Sequence, residues 1–258
     1  MKAKVLILIV AYRAENHIQD LLSRIPEDIW DNHNFYTKIL VADDASEDNT
    51  VHLSIQYRDQ NYRKNMEIIK NLTNKGYGGN QKIGYEYAIK HNFDIVILLH
   101  GDGQYAPEFI HEMIDPLIKN QSATVFGSRM LDRGGALKGG MPLYKFIGNK
   151  ILTKIQNILL KSNLSEFHSG YRAYKVSTLK SIPFTHNSND FDFDTDIIIQ
   201  LIDNKFTIKE VPIPTFYGEE ISYVNGIKYA FDIIKTTVIS RIQFIKKIKN
   251  PKFDYTKN

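Results

Sequence analysis

The residues best suited to chemistry sit in one short stretch, His100-Gly101-Asp102-Gly103-Gln104. The apolar run Ile95-Val96-Ile97-Leu98-Leu99 precedes it, and Tyr105-Ala106-Pro107-Glu108 follows. The run has the length and β-branched content of a buried strand, and Gly, Asp and Pro end it sharply. An acid at the carboxyl end of such a strand stands where open α/β sheets bind ligands. Its hard oxygens suit Mg²⁺ or Mn²⁺, ions commonly shared with substrate phosphates. Taken alone, the stretch reads slightly better as an ordinary turn, because Asp and Gly are common turn residues. Its neighbours along the chain shift that balance.

Asp43-Asp44-Ala45-Ser46 closes a second apolar run, Lys38–Ala42. Gly76-Tyr77-Gly78-Gly79 permits positive φ and close backbone approach. It is not a dinucleotide fingerprint, since Gln81 stands where a third glycine would fall, and no G-K-[ST] loop is present. Dehydrogenase and P-loop chemistry are therefore poor readings. The Asp-x-Asp-x-Thr of phosphatase-type nucleophiles is absent after the first strand, as is the glycine-rich basic loop of sugar-nucleotide-forming transferases after Val10. Arg129, Arg133 and Lys138 ring a glycine-rich loop, 133–142. Cations there can neutralise a diphosphate or a phosphate acceptor, or can simply be solvated.

The elements that must position these groups alternate. Strands are predicted at Val5–Val10, Lys38–Ala42, Glu67–Lys70, Ile95–Leu99, Ala123–Gly127, Tyr171–Val176 and Thr207–Val211. Helices are predicted at Glu15–Ile25, Asp48–Arg58, Gln81–Lys90, Pro107–Lys119, Leu143–Leu160, Thr195–Asp203 and Gly226–Lys249. This alternation argues an α/β fold with a mostly parallel sheet flanked by helices. The 258 residues are 43% hydrophobic, enough for a full core. Net charge is only +4, which does not imply nucleic acid. No cysteine is present, which rules out disulfides and thiolate metal sites and is compatible with a reducing cytosol. Val5–Val10 is too short for a signal peptide core, and no stretch approaches a membrane span.

Read in order, the motifs resemble those of family 2 glycosyltransferases with a GT-A fold, close to the dolichyl- or undecaprenyl-phosphate sugar transferases. The matching segments are Val10-Ala11-Tyr12-Arg13-Ala14-Glu15, Asp43-Asp44-Ala45-Ser46, Asn74-Lys75-Gly76-Tyr77-Gly78-Gly79-Asn80, His100-Gly101-Asp102-Gly103-Gln104, Gly127-Ser128-Arg129, Met141-Pro142, Ser169-Gly170-Tyr171-Arg172-Ala173 and Glu210-Val211-Pro212-Ile213. Each is weak singly, but their order is specific, and together they span about residues 4–217. Three departures stand out. His100 replaces the first aspartate of the metal motif, the opening Pro and Asn are missing around Val10–Arg13, and Glu166 stands where an aspartate is usual.

The resemblance implies inverting transfer of a sugar from a UDP- or GDP-linked donor to a polyprenyl phosphate or lipid-linked glycan. A soluble enzyme extending a capsule or O-antigen polysaccharide on a hydroxyl, and a catalytically weak nucleotide-sugar binder, are the alternatives. Asp102 and Gln104 would hold the metal. His100 would either replace the missing carboxylate or, on the better reading, turn away to stack or hydrogen-bond. Ala11, Tyr12, Glu15, Asp44, Gly76, Asp102, Gln104 and Arg129 would surround the nucleotide sugar. Arg129 would assist the departing diphosphate, and Arg133, Lys138 and Arg172 would serve the diphosphate or acceptor loop, unless Arg172 pairs with Glu166. In the acidic stretch Phe191-Asp192-Phe193-Asp194-Thr195-Asp196, Asp196 is the candidate base for a hydroxyl acceptor, whereas a phosphate acceptor needs none. Asp194 reads equally as a helix cap.

Residues 1–225 read as the transferase domain and 226–258 as a basic helical tail. The tail carries eight Lys or Arg against two acids, with an apolar stripe of Ile227, Phe231, Ile234, Val238, Ile242 and Ile245. Such a helix suits the surface of an anionic membrane, or equally the catalytic domain or a partner copy. The expected location is the cytoplasm, with the inner face of the membrane and a homo-oligomer both left open.

Overall fold

The computed structural model describes residues 2–132, 134–215 and 226–253. Seven strands form one sheet: β1 (Ala3–Ala11), β2 (Phe35–Asp43), β3 (Met66–Lys70), β4 (Ile95–His100), β5 (Thr124–Ser128), β6 (Arg172–Lys175) and β7 (Ile208–Pro212), in the order β3-β2-β1-β4-β6-β5-β7. β1 to β4 run parallel, β6 is antiparallel to β4 and β5, and β7 is parallel to β5. The register sets Ala11 beside Asp43 and Val10 beside His100, so three strands deliver their carboxyl ends to one edge.

The described helices are α1 (Ile18–Ser23), α2 (Glu27–Trp30), α3 (Thr50–Gln60), α4 (Tyr77–Lys90), α5 (Ile110–Ile118), α6 (Gly135–Lys138), α7 (Leu143–Leu160), α8 (Val176–Lys180), α9 (Phe193–Asp203) and α10 (Gly226–Lys246). Alternation along β1 splits the core. Val5, Ile7 and Ile9 pack with Leu21 of α1 and Ile114 of α5, while Leu6 and Leu8 pack with Tyr85 of α4 and Ile198 of α9. Strands buried on both faces read as continuous apolar runs, which is why these were legible.

The structure moves several predicted boundaries. Three short helices, α2, α6 and α8, were not anticipated; α6 lies within the glycine-rich segment 133–142, and α8 begins at Val176, where the predicted strand ends. α1 is shorter than the predicted Glu15–Ile25, and α10 stops before Lys249. α4 starts at Tyr77 instead of Gln81, so the glycine motif is its first turn. Gly76 takes φ +80 just before it, and a Cβ on Gly78 would fall 2.5 Å from the Ser188 carbonyl oxygen and 2.6 Å from Phe193 Cβ. The glycines let α4 dock against the start of α9. No helix among the described residues is long and apolar enough to cross a membrane.

Candidate active site

The carboxyl ends of β1, β2 and β4 interlock through backbone bonds. The Asp44 N–H donates to the Ala11 carbonyl at 2.8 Å, and the Gly101 N–H to the Val10 carbonyl at 2.8 Å. Gly101 is required by close approach, since a Cβ there would lie 2.9 Å from the Ala11 Cβ. Arg13 and Ala45 both adopt left-handed backbone, at φ 51 and φ 61. The Arg13 N–H donates to Ser46 Oγ at 2.9 Å, and its guanidinium lies 5.3 Å from the centre of the Tyr12 ring. Glu15 is turned to the α3 entry, where Oε2 accepts both the N–H and the side-chain amide of Asn49 at 3.0 Å. Ala11 is buried, while Tyr12 presents part of its ring to solvent.

Asp44 is buried and its carboxylate is clasped by the loop before α4. Oδ1 accepts from the Lys75 N–H at 2.8 Å and from Asn71 Nδ2 at 2.9 Å, and Oδ2 from the Gly76 N–H at 3.0 Å. Asp44 thereby fixes Gly76 and the start of α4. Asp43 is buried beside it, with Oδ1 accepting from the Ser46 N–H at 2.9 Å.

Asp102 stands exposed at the end of β4. Its Oδ1 accepts the Gln104 N–H at 3.0 Å, and Gly103 between them takes φ +72. This turn presents the carboxylate outward and keeps Gln104 beside it. Among the described residues no three His, Asp or Glu side chains converge on a point that could hold a metal ion. A divalent ion here would take Asp102 and complete its shell with water and substrate phosphates. A lone exposed carboxylate fits that Mg²⁺ or Mn²⁺ chemistry.

His100 sits in an aromatic cage. Its ring meets Tyr105 and Tyr77 edge-on at 5.0 and 5.5 Å, and its Nε2 is 3.4 Å from the Tyr77 hydroxyl. Gly170 closes the cage, where a Cβ would come within 2.5 Å of His100 Cε1. Burial lowers the His100 pKa, against the pull of Asp102 and Asp194, so the imidazole is neutral.

The basic residues divide. Arg129 is buried against Glu166: its N–H donates to Oε2 at 2.7 Å and its Nε to Oε1 at 3.0 Å, while Asn149 Nδ2 donates to the same Oε1 at 2.7 Å. Burial alone would raise the Glu166 carboxyl, but the Arg129 charge and these donors outweigh it and hold it below its ordinary value. Arg129 Nη2 also donates to the His168 carbonyl at 3.0 Å. Lys138 is exposed at the end of α6, and Arg133 lies outside the described residues.

Two expectations are corrected by burial. Arg172 is not on a loop rim but 1% exposed, donating to the carbonyls of Ser169, Phe167 and Asp194 and pairing with the Asp194 carboxylate at 3.4 Å. Its partner is Asp194, not Glu166. Asp196 is fully buried, accepting the Ser188 N–H at 2.9 Å and pairing with Lys252 Nζ at 2.7 Å. Burial raises its pKa, with Lys252 pulling the other way. In this arrangement the Asp196 carboxylate is turned to Ser188 and Lys252 and shielded from solvent. Asp194 lies within the first turn of α9 and makes no cap bond; its Oδ2 accepts the Tyr77 hydroxyl at 2.8 Å. Tyr77 and Tyr105 are the site residues that sequence reasoning missed. Tyr77 was visible only as the non-glycine within the glycine motif.

Comparison with known proteins adds independent weight. The family model "Glycosyl transferase family 2" matches residues 6–182. The UDP-N-acetylglucosamine–dolichyl-phosphate N-acetylglucosaminyltransferase of Methanococcus voltae is 31% identical over 230 residues, covering 85% of this chain and 88% of that one. The polyprenol monophosphomannose synthase of Mycolicibacterium smegmatis is 24% identical, covering 84% and 79%. Among solved structures, glucosyl-3-phosphoglycerate synthase from Mycobacterium tuberculosis in complex with Mn²⁺, UDP and phosphoglyceric acid superposes with a TM-score of 0.67 at 15% identity, covering 93% of this chain and 78% of that one. Mannosyl-3-phosphoglycerate synthase from Rubrobacter xylanophilus gives 0.70 at 13% identity, covering 96% and 76%.

Proposed function

The chain belongs to glycosyl transferase family 2 and is a glycosyltransferase of GT-A fold; from that premise we propose that it moves a sugar, with inversion, from a nucleotide diphosphate sugar to a polyprenyl phosphate. The observation that carries this reading is the 31% identity over 85% of the chain to a transferase named for a UDP-sugar donor and a dolichyl-phosphate acceptor. The exposed Asp102 at the carboxyl end of β4 supports it, because bound phosphates and a shared divalent ion belong at that edge. We read residues 1–225 as the transferase unit and 226–258 as its extension.

When bound, the divalent ion would offset charge on the diphosphate leaving group. Asp102 would hold it, with Gln104 alongside. Asp44 fixes the Gly76 turn, which would line the nucleotide sugar together with Ala11 and Tyr12. Arg129, oriented by Glu166, would add positive potential near the departing diphosphate, and exposed Lys138 would serve the same charge. His100, neutral and caged, shapes the site between Tyr77 and Tyr105 without adding charge.

The fate of Asp196 favours a phosphate acceptor over a hydroxyl. A phosphate oxygen is already anionic and attacks without a base, whereas a hydroxyl needs one. The candidate base is instead sealed against Lys252. The test is transfer from a panel of radiolabelled UDP- and GDP-sugars to a short polyprenyl phosphate in detergent with Mn²⁺ or Mg²⁺. Labelled lipid from one nucleotide class supports the reading. Transfer only to a glycan hydroxyl would replace it.

A further inference from the structure

The chain after α10 turns back onto the start of α9. Arg241 Nη2 pairs with Asp203 Oδ2 at 2.6 Å, which lays the end of α10 against α9. Asn250 then builds a turn. Its carbonyl accepts the Phe253 N–H at 2.9 Å, and its Oδ1 accepts the Lys252 N–H at 3.0 Å. Gln200 Nε2 of α9 donates to the Lys252 carbonyl at 2.8 Å, and Phe253 packs against the core that α4 and α9 share. These contacts deliver Lys252 Nζ to Asp196, 2.7 Å away.

Asp196 in turn holds the segment 187–189. Its Oδ2 accepts the Ser188 N–H at 2.9 Å, and its buried Oδ1 has no hydrogen-bond partner. The segment is braced twice more. Lys82 Nζ donates to the Asn187 carbonyl and, at 2.8 Å, to Asn189 Oδ1, while Gln200 and Asn187 exchange side-chain amide bonds. The segment then meets the glycine motif. The Gly78 N–H donates to the Asn189 carbonyl at 2.8 Å, and the Gly79 N–H to the same oxygen at 3.3 Å. A Cβ on Gly76 would fall 2.5 Å from that oxygen, so the two backbones touch. Gly76 is also the residue whose N–H Asp44 clasps.

A buried carboxylate needs a counter-charge, and removing one partner strands the other. Among the described residues Asp196 pairs with Lys252 alone. We propose that Lys252 is a positioning residue for the donor site: it neutralises Asp196, Asp196 fixes the segment 187–189, and that segment fixes the Gly76–Gly79 turn. Lys252 itself touches no reacting group. The extension 226–258 is thereby built into the transferase, although the family model ends at residue 182. That the turn lines a nucleotide sugar rests on the function proposed above; the coupling of Lys252 to the turn does not.

The experiment pairs hydrogen exchange read by mass spectrometry with transfer kinetics, both on the full chain. Lys252→Met should speed exchange in the peptide spanning Gly76–Asn80 about tenfold and leave the β1 and β4 peptides unchanged. It should raise donor KM about tenfold with kcat within about twofold. Lys252→Arg should restore both readouts. Adding Asp196→Asn to Lys252→Met should restore them too, because it removes the charge left unpaired. Lys249→Met, on the exposed part of the same extension, is the control and should change neither. A merely structural role predicts faster exchange everywhere, with no rescue by Asp196→Asn. That result, or unchanged exchange at 76–80 in folded Lys252→Met, overturns the proposal. If Lys252→Met does not fold, Phe253→Ala decides: it loosens the same segment without stranding a charge, and unmoved readouts there overturn the proposal equally. Exchange at 76–80 that follows Lys252 in a protein transferring no sugar from any nucleotide donor would sink the proposed function and leave the coupling standing; transfer with exchange indifferent to Lys252 would do the reverse.

Discussion

The Tyr77 hydroxyl donates to Asp194 at 2.8 Å and meets His100 Nε2 at 3.4 Å on its other side. One phenol thus ties the first turn of α4 to the first turn of α9 and to the end of β4. Asp194 in turn anchors Arg172, so the aromatic cage around His100 is held by a buried ion pair. Burial and the Asp194 charge push the Tyr77 pKa well up, keeping the phenol a donor.

Tyr77→Phe keeps the ring stacked on Phe191, whose centre is 5.0 Å away, but leaves Asp194 without that donor. The expected cost is about 1–3 kcal/mol of stability, read as the shift in urea midpoint. Donor KM should rise several-fold, because the start of α4 and the His100 ring both lose a restraint. An unchanged midpoint with unchanged KM would mean that the bond positions nothing.

Stability should fall as pH drops from about 6.5 towards 4, through His168. Burial lowers its pKa from 6.5 to about 4, so in this window the unfolded chain binds a proton that the folded chain refuses. More protons on the unfolded state means that stability rises with pH. The loss is on the order of 3 kcal/mol at the acid end, and half-buried His100, also shifted down by desolvation, acts in the same sense. His168→Gln should flatten part of the slope in urea midpoints measured at successive pH values. An identical slope would remove His168 as a cause.

The strands, their order of alternation with helices, and the place of Asp102 just after β4 were legible in the sequence because buried parallel strands are continuous apolar runs ended by Gly, Asp and Pro. What was not legible depended on tertiary partners. The glycine motif is a helix start because Ser188, Asn189 and Phe193 lie against it, more than a hundred residues away in the chain. Arg172 and Asp196 read as site residues because charge in a motif suggests exposure. Which charges are consumed by burial depends on Asp194 and on Lys252, whose approach no local pattern encodes.

Breaking the Arg129–Glu166 pair should be costly in either direction. Glu166→Gln leaves the buried guanidinium without its counter-charge, an expected loss of about 3–5 kcal/mol. Because the Glu166 pKa is lowered in the fold, its stabilisation is complete above the ordinary glutamate value and fades as pH falls below it. The wild type should therefore lose stability faster than Glu166→Gln on the acid side. Parallel acid limbs would show that Glu166 is not charged in the fold.

Asp102→Ala separates the chemistry from the fold. The side chain is exposed and its only described bond is to the Gln104 N–H, so the melting temperature without ligand should barely move. Ligands that bind only the folded state raise the melting temperature by mass action. Wild type should show a Mn²⁺-dependent rise with one class of nucleotide sugar, and Asp102→Ala should lose the metal-dependent part while transfer falls at least 100-fold. Asp44→Asn should behave differently. It weakens the clasp on Lys75 and Gly76, lowering the melting temperature itself and reducing donor binding with or without metal. If Asp102→Ala kept the full metal-dependent shift, the metal would sit elsewhere and Asp102 would be only the turn residue its bond to Gln104 describes.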